Sequence, residues 1–336
     1  MTEAVKKITY PRVGFLGNPS DGFGGKTISF PFRNFQAEVI LWESSKLKFI
    51  PNLEDQDEFS SIADLYRSTQ NQGYYGGIRL VKAGIAVFFR YCQRKKIKLE
   101  RKNFTITYRS NIPQQRGLAG SSAIIISALK ALIDFYQVPV IFPAILANIA
   151  LEAEVSELGI AAGLQDRVVQ SYNLPVFMDF SSQAFRKNND QFGEYKTFSK
   201  SILPPMSLVW MDVMSESGKV HSSVRNRFDS GDEEVIMAMS DFATFAQKGF
   251  SALKSKDLIG ICELVNANFD LRRQIYGEKV IGKENIKMIE TIRSFGGTAK
   301  FTGSGGAALL VAAENKISGI NERLIKIGYQ AERIIL

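Results

Sequence analysis

The stretch from Ser121 to Tyr136, SSAIIISALKALIDFY, reads as a helix so apolar that it has to be buried. It is entered through Pro113-Gln-Gln-Arg-Gly-Leu-Ala-Gly, and a buried helix needs no glycines at its approach, because each costs backbone entropy. Gly117 and Gly120 therefore imply that something comes close to that backbone. Free N–H groups and the positive end of the helix dipole make such a helix start a site for phosphate. Ser121 and Ser122 add hydroxyls that either cap the helix or reach a phosphate-bound cation; a plain N-cap serine explains one serine and neither glycine. The lysine of a G-x-x-x-x-G-K-[ST] loop is missing.

Around this helix the first half of the chain mixes strand and helix signals. RVGFLG, GGKTISFPF, QAEVILWES and NFTITYRS read as strands, the last alternating through Phe104, Ile106 and Tyr108. GIRLVKAGIAVFFRYCQRK reads as a helix, and so does PAILANIALEAEVSEL, whose Pro143 suits a first turn. After the break Leu203-Pro204-Pro205 comes a strand, MSLVWMDV, then long helical stretches over EEVIMAMSDFATFAQKGFSALKSKD and DLIGICELVNANFDLRRQIYG. AKFTG and AALLVAA close the chain as two short strands around a glycine turn. At 336 residues two domains are expected, 1–202 and 203–336, in an α/β (α+β) architecture.

Two further glycine-rich places stand out. GGTAKFTGSGGAALLV carries Gly296, Gly297, Gly303, Gly305 and Gly306, which suggests either a loop pressed against something or a tight hairpin. PRVGFLGNPSDGFGGKTIS delivers Asn18, Ser20 and Asp21 from a buried strand into a turn followed by Gly24, Gly25 and Lys26, an arrangement that suits either substrate contact or ordinary turn chemistry.

Composition narrows the chemistry. With 45% hydrophobic and 23% charged residues the chain is of globular type. The formal net charge of +8 is spread along the sequence, apart from the short run Arg94 to Lys98, so no nucleic-acid partner is expected. No stretch suits a membrane span or a signal h-region, and two widely separated cysteines, Cys92 and Cys262, read as buried thiols of a cytoplasmic protein. A single histidine, His221, excludes a histidine-rich metal cluster and makes a Ser-His-Asp hydrolase hang on one residue; it reads as a structural residue at a strand end.

In this order and spacing the three glycine-rich places resemble the GHMP kinase superfamily across nearly the whole chain: PRVGFLGNPSD is similar to its first motif, RGLAGSSAIIISAL to its second and AKFTGSGGAALLV to its third. Within it, RVGFLGNPSDGFGGKTIS, NQGYYGGIRL, NIPQQRGLAGSSAI, ELGIAAGLQDRV, SGKVHSSVR and KFTGSGGA look like the plant-type glucuronokinases. The resemblance implies a two-domain fold, an N-terminal mixed α/β domain and a C-terminal ferredoxin-like domain with the active site between them. It implies an enzyme that uses ATP and Mg²⁺ to phosphorylate D-glucuronate, or a related sugar, at the anomeric carbon, feeding UDP-glucuronate synthesis. Another sugar acceptor, such as galactose, fucose or a heptose phosphate, and a non-catalytic nucleotide-binding regulator are the alternatives.

The resemblance also implies roles. Pro113, Arg116, Gly117, Leu118, Ala119, Gly120, Ser121 and Ser122 would hold the ATP phosphates, with Ser122 and Glu154 on the metal and Glu157 as a competitor of Glu154. Asp166, twelve positions after Glu154, would take or orient the sugar hydroxyl proton, and Arg12 would stabilise charge between the γ-phosphate and the acceptor. Asn18, Asp21, Lys26, Tyr75, Gly303, Ser304 and Gly305 would contact the substrate. Where galactokinase-like chains carry a Glu-His-Thr-Asp type string, this one has Asn-Pro-Ser-Asp; Asp21 keeps the carboxylate, and Lys26, ahead of Arg33, Arg79 and Arg167, is the expected partner of a uronate carboxylate.

Overall fold

The computed structural model describes residues 3–52, 55, 61, 76–211 and 221–336. The strands are β1 (Val5–Thr9), β2 (Arg12–Leu16), β3 (Lys26–Pro31), β4 (Ala37–Ser44), β5 (Lys48–Ile50), β6 (Asn103–Ser110), β7 (Val176–Asp179), β8 (Glu194–Thr197), β9 (Met206–Trp210), β10 (Thr298–Phe301), β11 (Ala307–Val311) and β12 (Gln330–Arg333). The helices are α1 (Ile78–Arg94), α2 (Gly120–Phe135), α3 (Pro143–Glu152), α4 (Leu164–Tyr172), α5 (Ser182–Lys187), α6 (His221–Asp229), α7 (Glu233–Ser255), α8 (Leu258–Tyr276), α9 (Glu278–Ile281), α10 (Lys283–Ser294) and α11 (Glu314–Lys326).

These elements form two compact units that interleave in sequence. One comprises residues 1–11, 35–114 and 119–173; the other comprises 12–34, 115–118 and 174–336. Each unit draws on separated stretches, whereas the expected domains 1–202 and 203–336 are continuous, so that boundary stands as a proposal about sequence organisation.

The first unit is built on a sheet of order β1-β4-β6-β5. Alternation decides its faces: Ala37, Val39 and Leu41 on β4 are buried, as are Phe104, Ile106 and Tyr108 on β6, and the two strands pair antiparallel along their full length. Helix α2 covers this sheet. It is buried from Ser122 to Leu129, Ser127 donates from its hydroxyl to the Ala37 carbonyl (3.2 Å), and Phe135 meets Phe104 edge-on. Helix α1 is amphipathic in the ordinary way, burying Leu80, Val81, Ala83, Gly84, Val87, Phe88 and Cys92 at helical spacing. Helix α3 begins with Pro143 in its first turn and ends in a π-helical turn, Ala153–Glu157.

The second unit holds two sheets. Antiparallel β2-β3-β7-β8 forms one; the other has the order β10-β11-β9-β12, also antiparallel throughout. With helices between β9 and β10 and α11 between β11 and β12, this second sheet is a β-α-β-β-α-β unit, the expected ferredoxin-like topology. Helix α7 serves both sheets. Asp232 caps it by accepting from the Val235 N–H; Val235, Met239 and Phe242 enter the core with Phe301 and Leu310, and Gly249 lets the helix lie against Leu16 and Ile28. Both cysteines are free thiols, Cys92 buried and Cys262 partly so. Among the described residues no helix is long and apolar enough to cross a membrane.

In the first unit Lys130 on α2 donates to the Gln170 carbonyl (3.1 Å), and burial, with Lys7 nearby, lowers its ammonium from 10.5 to about 8. Below pH 8 folded and unfolded chains both hold this proton. From there to 10.5 the unfolded chain holds a proton that the folded chain has released, so this group makes stability rise with pH across that window. Lys130→Met is expected to remove that increment, read as the difference between the urea midpoints of variant and parent at pH 7 and pH 9.5.

Candidate functional site

The loop from Pro113 to Gly120 leaves the first unit after Gln114 and rejoins it at Ala119, residues 115–118 being counted with the second unit. Its end belongs to the first unit: Ala119 takes a left-handed backbone (φ 64°) as the N-cap of α2, and no side chain caps the helix. Ser122 is not the cap; its hydroxyl donates back to the Ala119 carbonyl (3.2 Å). Gln170 on α4 donates to the same carbonyl (2.8 Å) and to that of Tyr10 (3.2 Å). The helix start is thus held from its carbonyl side, while Ser121 is exposed and, among the described residues, no side chain caps the first turn.

The first unit also holds a buried ionic cluster. Glu154, on the π-helical turn, is paired by both Nε and Nη2 of Arg167, whose Nη1 donates to the Gly163 carbonyl (2.7 Å) and lies 3.5 Å from Asp166. Burial pushes the Glu154 carboxyl up, against the pull of Arg167. The two carboxylates differ in access: the Glu154 side chain is 2% exposed and that of Asp166 19%. Asp166 sits in the first turn of α4, where a carboxylate suits the dipole. Glu157 is engaged instead by Arg90 (2.6 Å) in a surface network that also takes in Glu152 and Arg94.

In the second unit the middle of the loop, residues 115–118, is locked against the glycine turn that follows β10. Arg12 donates to the carbonyls of Gly117 (2.6 Å) and Thr302 (3.1 Å), and its N–H donates to Leu118 (3.2 Å). A Cβ on Gly303 would stand 2.3 Å from the Gly117 carbonyl oxygen, and one on Gly117 would stand 2.8 Å from the Ser304 nitrogen. What presses on the third glycine-rich place is therefore the second one, and both are glycine because two backbones meet there. Arg116 and Leu118 are buried beside them.

Side chains that the sequence reading passed over brace this junction. Arg272 on α8 donates to the carbonyls of Gly303 (2.8 Å) and Ser304 (3.2 Å). Asn285 accepts from the Gly306 N–H (3.2 Å). Lys300 spends its ammonium on the Gly14 and Phe301 carbonyls and on Oδ1 of Asn18, each at 2.8 Å. Asn268 accepts from the Gly17 N–H (2.8 Å) and donates to the Asn18 carbonyl (3.0 Å). Asn18 is thus occupied in holding the turn that carries Asp21. A signal for two of these residues was present: Asn268 and Arg272 fall on the buried stripe of α8, with Ile261, Val265, Phe269 and Ile275, where a helix of this kind should be apolar.

Lys26 heads β3 and faces Asp179 and Gln247, both at 3.5 Å, while the charge of Asp21 is felt by Arg272 and Tyr276. Arg33 is exposed, and Arg79 lies at the start of α1. His221 opens α6 and so is not at a strand end, and Tyr75 lies outside the described residues.

Residues 79–173 match the family described as GHMP kinases N terminal domain. Over nearly its whole length the chain is similar to two proteins of Arabidopsis thaliana. It is 43% identical to glucuronokinase 1, covering 99% of this chain and 92% of that one, and 44% identical to probable glucuronokinase 2, covering 98% and 90%. The solved galactokinase of Lactococcus lactis, complexed with galactose, superposes with a TM-score of 0.75 at 15% identity, covering 100% of this chain and 94% of that one.

Gly303→Ala is expected to lower the melting temperature, because its methyl group would displace the Gly117 carbonyl and the Arg12 guanidinium, 3.0 Å away. Gly319→Ala is the control: with open space at its Cβ inside α11, it should gain about 0.5–1 kcal/mol by helix propensity.

Proposed function

The chain belongs to the GHMP kinase family, and from that premise we propose that it transfers the γ-phosphoryl group of ATP to the anomeric (C1) hydroxyl of D-glucuronate, giving glucuronate 1-phosphate and ADP. The acceptor is carried by one observation, the near full-length likeness to two glucuronokinases.

Phosphoryl transfer asks a protein chiefly to position its reactants and to neutralise charge. In this reading the uncapped start of α2, from Ala119 to Ser122, and the loop from Pro113 through Arg116, Gly117 and Leu118 receive the ATP phosphates, and the braced loop enters the reaction already ordered. Arg12 supports charge on the transferred group from beside that loop. Asp21, whose charge acts on Arg272, reads a sugar hydroxyl, and Gly303, Ser304 and Gly305, the first two held by the same Arg272, line the acceptor. Asp166 is the more open of the two carboxylates next to Arg167, and it accepts the proton of the anomeric hydroxyl as that oxygen bonds to phosphorus and the bond to the β–γ bridging oxygen breaks. Tyr75 stays a candidate for sugar contact, while Lys26 faces Asp179 and Gln247, each at 3.5 Å.

The residues proposed for Mg²⁺ have the right donor chemistry. Ser122 offers a hydroxyl, and Glu154 has one carboxylate oxygen, Oε1, outside its pairing with Arg167. A hard cation held there would neutralise phosphate charge; Glu157, tied to Arg90, is the weaker candidate.

Two experiments test the reading. ADP release measured across neutral hexoses and uronates should be fastest with D-glucuronate, and phosphorus NMR should place the ester on the anomeric oxygen; a neutral hexose turning over far faster would refute the acceptor. Asp166→Asn should lower kcat by about 10²–10⁴-fold with the KM for ATP little changed. Near-normal turnover in that variant would remove Asp166 from the chemistry.

A further inference from the structure

Arg272, Lys300 and Arg12 are 3%, 2% and 5% exposed. They are close enough to act on one another, because the Lys300 ammonium is depressed first by burial and then by Arg272 and Arg12. Concentrating positive charge in a low-dielectric interior is unfavourable unless something negative answers it. Among the described residues no carboxylate forms an ion pair with Arg272: its hydrogen bonds go to the Gly303 and Ser304 carbonyls, and its guanidinium lies over the rings of Tyr276 (5.2 Å) and Phe301 (5.4 Å). Its Nε is buried without a hydrogen-bond partner. The carboxylate whose charge reaches it is Asp21, the proposed hydroxyl reader of the acceptor.

The two carbonyl bonds also aim the turn. A trans peptide points its C=O and the next N–H in opposite directions, so drawing the Gly303 and Ser304 carbonyls onto Arg272 turns the N–H groups of Ser304 and Gly305 away from it. Neither N–H has a hydrogen-bond acceptor among the described residues, and Ser304 is exposed. Consecutive free N–H groups backed by a buried cation make a setting for an anion.

We infer that Arg272 is a specificity-determining residue for an acceptor that carries its own negative charge, here the sugar carboxylate. It presents the Ser304 and Gly305 N–H groups and keeps the region of Asp21 positive in potential. This rests on the glucuronate reading above and assigns to Arg272 the selectivity that sequence reasoning gave to Lys26.

The test compares kcat/KM for D-glucuronate with that for D-glucose in the parent enzyme and in Arg272→Gln, Arg272→Lys and Lys26→Met. Arg272→Gln keeps hydrogen-bond donors and loses the charge, so the preference for glucuronate should shrink by about tenfold or more. Arg272→Lys keeps the charge and should keep the preference, even where kcat falls for both sugars. The KM for ATP should hardly move in either, and Lys26→Met should leave the preference in place. A folded Arg272→Gln enzyme with the parental preference overturns the inference and leaves the glucuronate reading standing, as does a preference lost in Lys26→Met alone. A parent enzyme that prefers glucose overturns that reading and the inference together. Should the Gln variant not fold, Arg272→Lys decides: a retained preference supports the inference and a lost one overturns it.

Discussion

Two glycine turns, at residues 117 and 303–306, touch backbone to backbone, and much of the second unit is arranged to make that contact tolerable. Peptide groups brought this close lose water from their carbonyls, and buried carbonyls need donors. The donors are charged. Arg12 serves Gly117 and Thr302, and Arg272 serves Gly303 and Ser304. The relation runs both ways, since a buried guanidinium or ammonium needs acceptors as much as the carbonyls need donors. Lys300 shows the same logic, its three donors placed on two carbonyls and one amide oxygen. A loop held by such bonds is ordered by the fold itself, and preorganisation of this kind is what the proposed phosphoryl-transfer site requires.

The first unit solves a different problem, keeping two acidic groups close together. Arg167 lies between them, spending Nε and Nη2 on Glu154 and leaving Asp166 at 3.5 Å from Nη1. The π-helical turn that carries Glu154 interrupts the register of the chain after α3, as such turns often do at functional positions. Gln170, one turn beyond Asp166 on α4, ties the same helix to the Ala119 carbonyl at the start of α2. The proposed base and the proposed phosphate site are therefore linked through one helix by hydrogen bonds, without any group of the substrate taking part.

Much of this was legible in the sequence because it follows from local pattern. The near-continuous apolar run of α2 announced a buried helix, and alternation through Phe104, Ile106 and Tyr108 announced a half-buried strand. The left-handed Gly117 and the crowded Gly303 were legible as places where a backbone is approached closely, though the sequence named no partner. Short elements with weak patterns, such as β5, β7, β8 and α5, went unread because a few residues supply too little periodicity to separate strand or helix from turn.

By itself the sequence determined the local elements, the glycine-permitted turns and, through its motifs, the family. Only the tertiary structure decided which charges meet. Lys26 stands five residues from Asp21 yet faces Asp179 and Gln247, whereas Arg272, some 250 residues away, is a cation on which the charge of Asp21 acts. Hydrogen-bond propensity and helical period act over a few residues and can be read along a chain. The partner of a buried charge is set by whichever group the fold brings within a few ångströms to replace lost water, and nothing local to Asn268, Arg272 or Lys300 specifies that neighbour.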